Sequence, residues 1–193
     1  SKKRFYLKTF NFFQNFFALF RSGNKEDNVT AVTYMALRNY GIKVTFNSLT
    51  DYIKSHPAYP SLKSICDFFK EMNIQNYALR LDRSDLDNIG RTFIAHFKES
   101  KVIFVYLFDE ENVVYADKLK GKKIMPTSLF FEKWDGVVII IDPDELSGES
   151  DYNDKRKVEI TEKALLPAVI LLFVFAVIYG IMENKFFSSP PGG

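Results

Sequence analysis

The spacing of apolar positions changes character along the chain. From Asp27 to residue 40, Val29, Val32, Met35 and Ala36 recur every three or four residues, which predicts a helix that Gly41 ends just past its C-cap. A second helix is expected from about residue 47, with Asn47 as its N-cap, to about residue 55. His56-Pro57-Ala58-Tyr59-Pro60 reads as a rigid loop, with His56 exposed. Ser61 then caps a third helix with Leu62, Ile65, Cys66 and Phe69 on one face. After Asn73 the pattern turns to short runs rich in aromatic and β-branched residues. Strands are expected at 77–81, 92–97, 101–108, 113–116 and 137–141, the last an unbroken apolar run. Short helices are expected at 84–89 and 127–134, capped by Ser84 and Thr127. Residues 109–112 read as a polar hairpin connection and Gly121 as a turn. Three helices followed by a mostly antiparallel sheet make an α+β fold of two layers.

Two further stretches have their own patterns. Residues 164–182, ALLPAVILLFVFAVIYGIM, carry no charge. At about 1.5 Å per residue they extend roughly 28 Å, close to the thickness of a bilayer core. This predicts one transmembrane helix, with Pro167 in its first turn; the alternative is a fully buried core helix. Lys155, Arg156, Lys157 and Lys163 precede the stretch and Lys185 follows it. Such an asymmetry places the preceding domain on the cytosolic side of an inner (cytoplasmic) membrane, in a single-pass arrangement. Residues 1–22 hold Phe10, Phe13, Phe17 and Phe20 at helical spacing with basic residues towards both ends. They read as an amphipathic helix lying either in the membrane interface or against a protein surface. The expected organisation is thus a basic aromatic segment (1–22), a folded domain (24–145), a polar linker (146–163), a membrane helix (164–182) and a tail (183–193).

Composition narrows the chemistry. A net charge of +2 on 193 residues argues against a dedicated nucleic-acid binder. One cysteine, Cys66, forms no internal disulfide, and on the apolar face of a helix it reads as a buried, unreactive thiol. His56 and His96 lack metal-ligand spacing, so no metal or cofactor is expected.

The order and spacing of several short motifs resemble the cysteine peptidase domain that removes double-glycine leaders from bacteriocin-type peptides. These are residues 27–41, YPSLKSICDFFKEMNI, FIAHF, the strand pair ending Tyr115-Ala116-Asp117, and FEKWDGVVIIIDP. That family has a papain-like cysteine-peptidase fold and sits at the N-terminus of peptide-exporting ABC transporters. The resemblance implies a thiolate at a helix N-terminus, activated by an imidazole on the first long strand and an aspartate on the next, with an upstream glutamine at the oxyanion. Carried onto this chain, the nucleophile's place falls on Asn28, the histidine's on Val102 or Ile103, and the glutamine's near Ser22; Asp117 alone matches. The resemblance therefore implies no catalytic residue but a vestigial groove formed by Asn28, Ile103 and Asp117, with Tyr59 and His96 nearby. The HPAYPSL loop and the SGE-acid-Tyr stretch are also similar to Bacteroidetes-type membrane proteins in which such a domain precedes a vitamin K epoxide reductase-like and thioredoxin-like unit. The expected function is recognition of a peptide or leader segment without cleavage. The alternative is an accessory module docked to a membrane transporter or redox protein.

Overall fold

A computed structural model describes residues 27–89 and 92–187. The aromatic segment 1–22, the position of Ser22 and the end of the tail lie outside the described residues. Helix α1 (Asn28–Asn39) starts where Asp27 accepts a hydrogen bond from the Thr30 backbone N–H at 2.8 Å. It stops at Gly41, whose φ of +69° suits a glycine past a helix end. Helix α2 (Phe46–Ser55) is capped by Thr45, not by Asn47. Asn47 lies inside the helix and reaches out to Glu162 instead. Helix α3 (Leu62–Glu71) has Ser61 at its N-cap position, but that hydroxyl makes no capping bond.

The strands are β1 (Gln75–Arg80), β2 (Phe93–Phe97), β3 (Lys101–Phe108), β4 (Asn112–Ala116), β5 (Lys123–Pro126) and β6 (Trp134–Asp142). They form one antiparallel sheet in the order β1-β6-β2-β3-β4-β5. The sequence pattern did not predict β5, a short strand with exposed Lys123 and Ile124 and a terminal proline. Two short helices, α4 (Arg83–Leu86) and α5 (Thr127–Lys133), lie between strands. Neither Ser84 nor Thr127 is a cap; Asp82 and Pro126 hold those positions, and the Thr127 hydroxyl donates to the Asp109 carbonyl.

Both faces of the central strands β2, β3 and β6 carry buried residues, which explains their continuous apolar runs, while the edge strands β1 and β5 are mostly exposed. Val102, Phe104, Ile94 and Ile139 pack with Phe68, Phe69, Leu49 and Ile53 under α1–α3. Ile103, Val105, Phe93, Phe97 and Val138 pack on the other side with Leu86 of α4, Phe130 of α5 and Trp134. The two-layer expectation is thus corrected: a second apolar layer, roofed by the short helices, lies on the far face. At roughly 25 cal/mol per Å² of apolar surface removed from water, these two layers are the main favourable contribution to folding.

The polar stretch after β6 is built into the fold. Lys43 pairs with Gly148 in a parallel bridge, and the Thr45 backbone N–H donates to Glu149 at 2.9 Å. Helix α6 (Tyr152–Phe187) then runs unbroken for 36 residues, about 54 Å at 1.5 Å per residue. It is long and apolar enough to cross a membrane. Pro167 is therefore mid-helix rather than in a first turn, and the carbonyl of residue 163 lacks its usual N–H partner. On the domain-proximal part of α6, Glu159 is only 1% exposed and is paired with Arg156 (2.7 Å) and Lys163 (2.8 Å).

Candidate functional site

The structure brings the start of α1 against the start of β3 and the end of β4. Asn28 is the first residue of α1, and its amide is fully engaged. Its Nδ2 donates to the carbonyls of Val102 (2.8 Å) and Asp117 (2.9 Å), and its Oδ1 accepts from the Val102 N–H (2.7 Å). A side chain with donor and acceptor ends is needed for this clasp; a thiol offers neither in that geometry. Asn28 thus ties a helix terminus to two strands.

Asp117 is 2% exposed, directly after β4. An isolated carboxylate there would be costly, and two cations compensate. Lys101 Nζ lies 2.5 Å from Oδ2, and Lys123 Nζ lies 2.9 Å from Oδ2 and 2.7 Å from Oδ1. The Lys123–Oδ1 contact is an ion pair without an aligned hydrogen bond. Burial opposes ionisation of Asp117, but the hydrogen bonds and charges of Lys101 and Lys123 outweigh it and hold the carboxyl below its ordinary range. Lys123 is raised in turn, chiefly by its hydrogen bond to Asp117.

Lys101 is the β3 residue that the sequence reading missed. The resemblance put the family's histidine position at Val102 or Ile103 and left Asp117 with no expected partner. Val102 faces α1 and contributes its backbone to Asn28, while Ile103 is fully buried in the far-side cluster and lines no groove. Successive strand residues alternate faces, so Val102 turns to the helical layer while Lys101 and Ile103 share the other face, Lys101 at its mouth and Ile103 in its core. A lysine at the mouth of an apolar strand, with a second at the start of β5, was the available signal: a buried aspartate calls for such cations.

The remaining expected residues are more scattered. Tyr59 is 37% exposed in the loop before α3. Partial burial and the nearby Asp27 carboxylate raise its phenol pKa, which places the ring within electrostatic reach of the α1 N-terminus. His96 lies opposite Val102 in the β2–β3 register, yet its Nδ1 is 2.5 Å from Asp135 Oδ2 on β6, on the side away from Asp117. His56 is not exposed as expected. It stacks on Tyr52, accepts from the Ala58 N–H at 3.1 Å, and sets Nε2 3.3 Å from Asp67. Cys66 is half-buried on α3 against the helical core, and burial pushes its thiol pKa up. No metal-binding cluster occurs among the described residues. An open groove of about 1130 Å³ lies elsewhere, between the end of α3, β1 and residues 144–151, and none of Asn28, Lys101 and Asp117 lines it. The functional reading rests on the Asn28–Asp117 junction, where chemistry-bearing side chains converge, and not on that surface depression.

Known proteins share this fold. The chain matches the model of the peptidase C39 family over residues 17–145. It belongs to the peptidase C39 family. The fold is also that of solved structures. One is the peptidase domain of Streptococcus ComA, a bifunctional ABC transporter of a quorum-sensing pathway: 19% identity, TM-score 0.54, covering 63% of this chain and 94% of that one. Another is a double-glycine-motif protease from an AMS/PCAT transporter in complex with the leader peptide: 16% identity, TM-score 0.56, covering 63% and 89%. A third is the N-terminal peptidase C39-like domain of a toxin secretion ATP-binding protein from Vibrio parahaemolyticus: 9% identity, TM-score 0.54, covering 63% and 100%. No curated protein sequence matches this chain. The motif-based resemblance is thereby confirmed at the level of family and fold. This C39 domain carries a helix-terminal asparagine and an aspartate held by two lysines.

Proposed function

We propose that this chain is a membrane-anchored, catalytically degenerate leader-peptidase-like domain that binds a peptide or leader segment without cleaving it. The observation that carries the reading is the Asn28 clasp. The first residue of α1, where the family resemblance places a nucleophile, holds an amide with both ends committed to the Val102 and Asp117 backbone. An amide is not a nucleophile at neutral pH. Beside it, a lysine stands against Asp117, so the aspartate neutralises a cation where a peptidase would orient an imidazole. The peptide lies over the junction where the α1 start meets β3 and β4, with Tyr59 beside it and His96, turned to Asp135, further off. Apolar α6 holds the domain at the membrane, and the basic residues that precede its apolar stretch set the domain on the cytosolic face.

A second reading draws on α6. Glu162 accepts from Asn47, and the Lys163 ammonium lies 5.8 Å from the Phe46 ring centre, so the domain-proximal turns of α6 touch α2. This contact suits an accessory module that positions a neighbouring membrane transporter or redox unit. Incubating the full chain in neutral detergent with double-glycine leader peptides separates the readings. Cleavage is followed by mass spectrometry and binding by fluorescence anisotropy. Binding without cleavage is expected. Neither binding nor cleavage would favour the accessory module, and cleavage would overturn the degenerate reading.

A further inference from the structure

The rim beside the Asn28–Asp117 junction concentrates positive charge on an otherwise acidic domain. From Asp27 onward the chain carries 23 carboxylate residues against 20 Lys and Arg. Yet Lys101, Lys118, Lys120, Lys122 and Lys123 face a single acid, Asp117, in the rim: five lysines against one aspartate, a formal +4. Asp27 at the α1 N-cap and Glu99 before β3 flank this rim, and most of the remaining acidic surface lies in Asp82, Asp85 and Asp87 around α4, in the hairpin tip at residues 109–111, and in residues 142–151.

The loop that presents these lysines is fastened at several points. Asn28 bonds the Asp117 carbonyl, Leu119 packs against the helical core, and Lys123 pairs with Asp117. Lys122 sets its ammonium 4.0 Å from the Tyr106 ring centre, a cation–π contact. Lys118 and Lys120 are exposed on either side of the anchored Leu119, and the side chains of Lys101 and Lys123 remain 41% and 46% exposed although both touch Asp117. Lys101, Lys122 and Lys123 are thus held in place beside the junction, and Lys118 and Lys120 stand exposed next to them. Lysines on an edge strand such as β5 also discourage strand-to-strand aggregation. That role accounts for Lys123 on the strand but not for Lys118 and Lys120 in the preceding loop or Lys101 two strands away.

We propose that this rim, formed by Lys101 and residues 117–123, docks a carboxylate-rich segment of a peptide whose neighbouring residues lie against the Asn28–Asp117 junction. The proposal rests on the peptide-binding reading and names the chemistry of what is bound. Its geometric basis is the junction: the rim lysines and the clasp share Asp117, so a segment held by one extends onto the other. Field complementarity of this kind sets partner choice and association rate more than raw affinity.

The test uses the full chain in nanodiscs of neutral phosphatidylcholine and two fluorescein-labelled peptides, one with a Glu/Asp cluster and one with Gln/Asn in those places. Exposed charge pairs contribute factors of about 1.5 to 5 each, so the acidic peptide is expected to bind about tenfold more tightly in low salt. The preference is expected to collapse at about 0.5 M salt, where the screening length is only a few ångström. The combined Lys118→Gln, Lys120→Gln and Lys122→Gln variant, altered only at exposed positions, is expected to lose the preference while keeping its binding of the amide peptide. Equal binding of both peptides would overturn this proposal and leave the peptide-binding reading intact. Failure of both peptides to bind would overturn both readings. If anionic lipid in the discs abolishes the preference, the rim belongs to lipid headgroups and the peptide assignment is wrong.

Discussion

Two side chains carry the argument at the residue scale. Asn28 makes three partly buried hydrogen bonds across sequence separations of 74 and 89 residues, so it closes the fold. Asn28→Ala leaves the Val102 N–H and two carbonyls without partners and is expected to cost about 2–3 kcal/mol. Chemical unfolding followed by fluorescence of Trp134, the chain's single tryptophan, measures it. Asp117 predicts a pH dependence. Its carboxyl titrates in the folded state below its ordinary 3.8, held there by Lys101 and Lys123 against the effect of burial. As the pH falls the unfolded chain binds the proton first. The contribution is therefore complete above 3.8 and lost as the pH drops through the folded value. Asp117→Asn is expected to flatten that part of a stability–pH curve, and an unaltered acid limb would remove Asp117 as its source. Asp117 was legible in the sequence as a matching position. Lys101 was not, because only the sheet register decides which β3 side chain meets it.

Element-scale behaviour turns on how residues 143–151 return to the domain. Gly148 has a φ of +120° and bridges to Lys43; a Cβ there would stand 2.8 Å from the Lys43 carbonyl oxygen. Gly121 also has positive φ, +89°, but open space around it. Gly148→Ala thus combines backbone strain with a backbone clash and is expected to cost about 2–3 kcal/mol, against about 1 kcal/mol for Gly121→Ala. Similar losses at the two positions would mean that the Lys43–Gly148 bridge yields readily. The bridge matters because Glu149, the next residue, accepts from the Thr45 N–H where α2 begins, so the approach to α6 is tied to the helical layer.

Across the whole molecule, one continuous helix leads from the domain into an apolar stretch. The full chain is expected to sediment with membranes and to resist extraction by alkaline carbonate, whereas a chain ending at residue 151 is expected in the supernatant. Extraction of the full chain by carbonate would show that α6 does not span a bilayer. Orientation is a separate question. Proteolysis of sealed inverted vesicles is expected to digest the domain, and protection there would reverse the assignment made from the basic residues before the apolar stretch.

Local patterns carried the order of elements. The three-and-four spacing in α1, the apolar face of α3 and the β-branched runs of β3 and β6 report burial that any compact packing of those segments requires. The chargeless stretch in α6 was equally plain, since a bilayer-length apolar helix depends on composition alone. The tertiary structure decided what depends on distant neighbours. It inserted β6 between β1 and β2, and recruited the weakly apolar 123–126 segment as β5 through its ladder to β4. It buried His56 against Tyr52, and folded the acidic stretch after β6 back onto Lys43. It also set Lys101 against Asp117, with Val102 turned to the helical layer and Ile103 two residues deeper in the far-side core. Register is set by cross-strand hydrogen bonds and core packing, which short-range spacing does not encode.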